Sequence, residues 1–293
     1  MDPNIIDIII NYIPCYDMKK LSKHIFSNHK VPIEWFEYMI ENQYMTLADW
    51  SNLSGNKHPN IYKIIKKYPN KIQWHPLCSN ESKSLIPFLK HHIYRNSNKM
   101  QWYSLSSNRN IMKIIDDKRY IDMIYWSEIS VNPGAISIIE NNLDKIYWYW
   151  LSLNPNAIHI IEKNLDKINW DLLSSNPNAI SILEKNINSI NWIVLSGNPN
   201  AIPILEKHMD NIDWTVLSRN PNAIHLLKQN LDKIEWRSLS KNPNAIDMLE
   251  KNKDKIDWYQ FSLNNNISKS KLILDIQANL KLRNILINFF HQM

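Results

Sequence analysis

From Trp126 onward, apolar and polar positions follow one another with a strict 22-residue period. Tryptophan recurs at Trp126, Trp148, Trp170, Trp192, Trp214, Trp236 and Trp258. With Trp as position 1 the repeat reads W-x-x-L-S-x-N-P-N-A-I-x-[IL]-[IL]-E-K-N-x-D-K-I-x. Self-similarity of this length marks an array in which each repeat is one supersecondary module. In the copy around Asn176, the residues Ala179, Ile180, Leu183 and Ile187 fall at three- and four-residue spacing, which predicts one apolar helix face. Ile182 lies off that face. Asn176 reads as the N-cap and Pro177 as the first helical residue, where its missing N–H is harmless. The same cap recurs at Asn132, Asn154, Asn198, Asn220 and Asn242. This helix should make about three turns. A shorter second helix is expected to start from Asn188, or from the Asp at the equivalent place in most other copies. It carries Ile190, Trp192 and Leu195 and ends near Ser196.

The fold class predicted is all-α: an α-solenoid of short two-helix repeats with helical N- and C-terminal caps. An indole buries roughly 150–250 Å² in a good core, more than two short helices cover alone. The Trp column is therefore read as the structural core, shared between stacked neighbours. With packed helices roughly 8–10 Å apart, ten repeats would extend on the order of 90–100 Å. The skeleton persists upstream at Trp50, Trp74 and Trp102, with spacings of 24, 28 and 24 residues. Four segments follow: a helical cap at 1–49, divergent repeats at 50–125, regular repeats at 126–266 and a C-terminal capping helix at 267–293. A leucine-rich-repeat horseshoe is the rival, because Leu-Ser-x-Asn resembles part of its signature, but the alternating Leu-x-Leu of its strand is missing.

The Leu-Ser-x-Asn-Pro-Asn-Ala-Ile…Asp-Lys-Ile-x-Trp pattern resembles a repeat common in proteins of giant nucleocytoplasmic DNA viruses of the mimivirus type. The likeness is strong over about residues 126–266 and weak over 50–125. It implies a viral origin, in keeping with a composition rich in Ile, Asn and Lys, and it implies no activity. A second, weaker resemblance lies at the N-terminus. The run from Asn4 to Ile13, followed by Asp17-Met18 and Leu21-Ser22, is similar to an F-box, with Asp2-Pro3 and Met18 departing from that motif. The resemblance implies an adaptor whose residues 1–25 recruit a ubiquitin-ligase linker protein; the alternative is a plain capping helix pair.

Composition narrows the chemistry. Three glycines cannot build a phosphate loop. Cys15 and Cys78 are far apart, without metal-ligand spacing, and suit a reducing compartment. No basic segment precedes the first apolar stretch, and the longest apolar run, Ile8-Ile9-Ile10, is broken by Asn11. No secretory leader and no membrane span are expected, so the location expected is intracellular, in host cytoplasm, with the virion as alternative. His91 and His92 are adjacent and diverge on a helix, and a Ser repeated in every unit is a structural residue, not a nucleophile. No enzyme, cofactor or metal is expected. Net charge is +6, from 34 basic and 28 acidic residues. The densest basic cluster, Lys63, Lys66, Lys67 and Lys71, reads as a solvated face. Invariant Asn columns and a Glu column from Glu140 onward speak against a base-by-base nucleic-acid reader.

Specificity is expected where the repeat varies, at positions 2, 3 and 6. Tyr149, Trp150 and Leu153 form a candidate protein-binding hot spot, with Arg219, Arg237 and Lys241 as a basic part of the same surface. The alternative is that Trp150 adds to the core and the cations serve solubility. The expected function is a non-catalytic scaffold for a protein partner, with a ubiquitin-ligase adaptor or a structural virion component as alternatives.

Overall fold

The computed structural model describes residues 26, 29–95, 99–115, 118–267 and 270. Among them all regular structure is helical and no strand occurs, which removes the leucine-rich-repeat alternative. The F-box-like segment 1–25 and nearly all of the expected C-terminal capping helix lie outside the described residues. The chain divides into two compact units, Met1–Asn154 and Pro155–Met293. This boundary falls inside the regular array, not at residue 125 where the sequence becomes periodic.

The N-terminal half holds α1 (Ile33–Glu41), α2 (Leu47–Ser54), α3 (Ile61–Lys67), α4 (Trp74–Cys78), α5 (Ile86–Arg95), α6 (Trp102–Ser106), α7 (Ile111–Ile114), α8 (Trp126–Val131), α9 (Ile136–Glu140) and α10 (Trp148–Leu151). The C-terminal half holds α11 (Ile158–Ile161), α12 (Trp170–Ser175), α13 (Ile180–Lys185), α14 (Trp192–Ser196), α15 (Ile202–Lys207), α16 (Trp214–Leu217), α17 (Ile224–Gln229), α18 (Trp236–Ser240), α19 (Ile246–Lys251) and α20 (Trp258–Ser262). Within each half the Trp-bearing helices stack on one another, α2 on α4 on α6 on α8 on α10, and α12 on α14 on α16; all begin at the Trp except α2, which is capped by Thr46 and carries Trp50 inside it.

In the C-terminal half each Trp helix begins at the indole because the preceding residue caps it. Asn169, Asn191 and Asp213 each accept a hydrogen bond from the backbone N–H three residues on, at 2.8, 3.1 and 2.8 Å. The helix ends at a Ser whose hydroxyl donates back to the Trp carbonyl, as Ser196 Oγ does to Trp192 at 2.8 Å. Then Asn-Pro-Asn-Ala folds as a β-turn. In the copy at Asn176, the Ala179 N–H donates to the Asn176 carbonyl at 3.1 Å, and the Asn178 N–H donates to Asn176 Oδ1 at 3.0 Å. Proline suits the second position of such a turn because its φ is already set. The helix of the Ile column starts only after Ala179; Asn188, expected to cap the Trp helix, lies instead in a short 3-10 turn, Ile187–Ser189, and Asn191 is the cap.

This corrects the expected role of Asn132, Asn154, Asn176, Asn198, Asn220 and Asn242 as helix N-caps. The Asn-Pro pair lies two residues before the helix and builds the turn that reverses the chain, and the helix after it spans four to six residues where three turns were expected. The core assignment changes with it. In the repeat starting at Trp170 the buried set is Leu173, Ala179, Ile182, Leu183 and Ile190, so Ile182 is core while Ile180 and Ile187 are half-buried. The Trp column is not the fully buried core either. Trp126, Trp148, Trp170, Trp192, Trp214 and Trp236 are half-buried, and Trp258 is 49% exposed. Loop residues of the same repeat cover several of these rings. Lys233 Nζ stands 4.8 Å above the Trp214 ring, Lys255 Nζ 4.7 Å above Trp236 and Lys145 Nζ 5.7 Å above Trp126, while His208 tilts against Trp192 at 5.2 Å.

The repeats are joined by the Asn column. Asn198 donates its two amide hydrogens to the carbonyls of Ser174 (3.0 Å) and Asn176 (3.1 Å) in the repeat before. Asn220, Asn242 and Asn264 do the same one repeat further on. In the N-terminal half an equivalent ladder passes from Asn80 through Asn108 and Asn132 to Asn154. Ser Oγ adds a second link by accepting from the N–H just before the next Trp, as Ser196 does from Asp213 at 3.0 Å. All these Ser and Asn side chains are buried and bonded, which is the condition for polar groups to sit in a core.

Candidate interaction surface

Ser, Asn and the apolar columns are committed to packing; of the variable positions, position 2 is exposed from Tyr149 onward, whereas position 3 is exposed at Trp150 alone and buried at Ser238. In the N-terminal half, Tyr149 is 51% and Trp150 41% exposed. Their rings meet edge to face at 5.0 Å and 90°, and Leu153 beside them is half-buried. Trp150 is therefore not additional core. An exposed Tyr–Trp pair is rigid and apolar with a polar rim, the composition enriched where proteins dock.

Four further exposed aromatics among the described residues of this half were not singled out in the sequence: Tyr94, Tyr103, Tyr125 and Tyr147. Tyr103 and Tyr125 meet edge to face at 5.5 Å. The Tyr103 hydroxyl bonds to the Glu128 carboxylate, which raises its pKa above the usual phenol value. Tyr125 and Tyr147 occupy the capping position before Trp126 and Trp148, and neither side chain caps its helix. In the C-terminal half the same position carries Asn169, Asn191, Asp213, Glu235 and Asp257, all of which cap. That substitution was the available signal. A bulky phenol stands where the neighbouring repeats keep a short polar cap worth about 1 kcal/mol.

The basic residues Arg219, Arg237 and Lys241 lie in the C-terminal half and all are exposed. Arg219 and Lys241 share position 6 in successive repeats, while Arg237 is at position 2 and reaches Asp257 at 3.8 Å. Exposed ion pairs of this kind contribute little to stability.

Among the described residues no three His, Cys, Asp or Glu side chains converge to hold a metal ion, and no helix is long and apolar enough to cross a membrane. Cys78 is buried, and burial pushes its thiol up to about 11, away from the thiolate a nucleophile needs. No family model matches the chain, and no curated protein and no solved structure is similar to it at a significant level.

Proposed function

We propose that the chain is a non-catalytic α-solenoid scaffold that binds another protein through the exposed face of its Trp helices, with Tyr125, Tyr147, Tyr149 and Trp150 as the anchor. One observation carries this reading: at two successive helix starts the chain gives up a capping side chain and exposes a tyrosine. The exchange forgoes a cap, whereas an apolar, rigid contact surface gains from it. The Asn ladder in each half supports the scaffold part of the proposal, because every repeat spends its invariant polar residues on its neighbours and leaves positions 2, 3 and 6 to recognition.

The test is affinity capture with the intact chain against a Tyr149→Ala, Trp150→Ala double variant, with the exposed Lys185→Ala, outside positions 2, 3 and 6, as control. The double variant should lose its captured partner by at least tenfold while its thermal melt stays unchanged, and the control should retain it. An unaltered partner set on the double variant would remove this surface from the account.

A further inference from the structure

The positive charge of this chain is not spread along it. Residues 57–113 contain eleven of the 34 Lys and Arg but one of the 28 Asp and Glu; outside this stretch 23 basic residues face 27 acidic ones. The one acid, Glu81, is already engaged by Lys57 at 3.2 Å and Arg109 at 3.5 Å. The whole-chain value of +6 hides this contrast, because the Glu column of the regular repeats starts only at Glu140.

The same stretch contains the largest departure from the repeat. The unit begun by Trp74 runs 28 residues to Trp102. Its insertion lengthens α5 to ten residues, against six in α13. Repeat insertions map to one face and often form the binding face. Here the longer helix sets His91 and His92 opposite α3 and the turn at Pro69–Lys71, and two adjoining cavities of ≈ 430 and ≈ 500 Å³ open between them, sharing Pro69 and His92. Their walls carry flat rings: Tyr62 and Phe88 in one, Trp74 in the other, and His92 in both, stacked on Phe88 at 4.0 Å and tilted to Trp74 at 5.4 Å. Lys66 borders one cavity and Lys99 the other, and no carboxylate lines either. The smaller inter-repeat cavities of the C-terminal half differ: Glu184 lines one and Asp247 the other, and neither has a Tyr, Trp or Phe.

We propose that this groove binds single-stranded nucleic acid, with bases against Tyr62, Trp74 and His92 and backbone phosphates against Lys66 and Lys99. Cations beside half-buried aromatic rings that line a cavity suit a polymer that alternates charge with flat rings, and such stacking tolerates any base. A duplex keeps its bases stacked internally and has none to offer these cavities. This site is separate from the aromatic face of the Trp helices, so either proposal stands or falls alone.

The test measures fluorescence anisotropy of labelled 20-nucleotide oligo-U RNA and oligo-dT DNA with the full chain at 50 and 200 mM salt. The proposal expects binding of at least one oligomer, weakened at least tenfold by the higher salt. A Lys66→Glu, Lys99→Glu variant should bind at least tenfold more weakly, and Tyr62→Ala about tenfold more weakly. Lys163→Glu, Lys185→Glu in the C-terminal half should bind as the parent does. Thermal melts check folding, and Lys66→Ala, Lys99→Ala serves if the charge reversal unfolds the chain. Absence of binding at 50 mM salt, equal loss in the two reversal variants, or a poly-glutamate peptide that binds as tightly as either oligomer would overturn the proposal, the last by pointing to an acidic protein segment.

Discussion

At the residue scale, the asparagine at position 7 does more than any apolar side chain to define how the repeats join. Each ladder asparagine fills both its donors and its acceptor with backbone groups, two of them in the preceding repeat. Removing Asn198 strips the buried Ser174 carbonyl and the Asn200 N–H of these bonds, while the Asn176 carbonyl keeps only the one from Ala179. Asn198→Ala should therefore lower stability by about 3 kcal/mol, since each unsatisfied buried group costs about 1–3 kcal/mol. Asn200, which makes one exposed bond to the Pro177 carbonyl at 2.9 Å, should lose under about 1 kcal/mol on substitution by Ala. Urea unfolding of the two variants measures the contrast, and equal losses would contradict the ladder. Gly134 shows how tightly neighbouring backbones meet. It stands where later repeats have Asn, and a Cβ there would lie 2.0 Å from the Arg109 carbonyl oxygen.

At the element scale, helices of four to six residues are too short to form alone, because nucleation consumes what a single turn returns. They exist because caps, Ser links and neighbouring helices hold them. The period and the helical class were legible in the sequence, since spacing alone carries them; the helix bounds were not. The function of Asn-Pro was not. As a dipeptide it suits a helix start and a turn equally, and only the bond from Ala179 to the Asn176 carbonyl decides for the turn. The Trp column misled for a related reason: a large apolar residue signals burial, but an indole at a helix start is covered on one face only, by the loop lysine or histidine of its own repeat. Variability singled out Tyr149 and Trp150 but left open whether Trp150 was core, which its exposure answers, whereas Tyr125 and Tyr147 needed the capping role of their column to be known first. That role makes a prediction. Tyr147→Asp should cap α10 and raise stability by about 1 kcal/mol, while weakening partner capture. A melt and a capture assay on the same variant check both parts; a loss of stability would show that the tyrosine is structural.

At the scale of the whole molecule, stability should rest on repeat-to-repeat contacts that recur every 22 residues, so neighbouring repeats ought to be interchangeable. The core columns, the Ser link and the Asn ladder would then re-register after loss of one complete repeat. They could not do so after loss of half a repeat, which would set a Trp helix against a second helix. The direct measurement is urea unfolding of two deletions within the C-terminal half, one lacking residues 192–213 and one lacking residues 192–202. The whole-repeat deletion should unfold in one cooperative transition with an m-value within roughly a tenth of the parent's, in proportion to the surface removed. The half-repeat deletion should lose the cooperative transition of that half. Equal damage from both deletions would contradict the account.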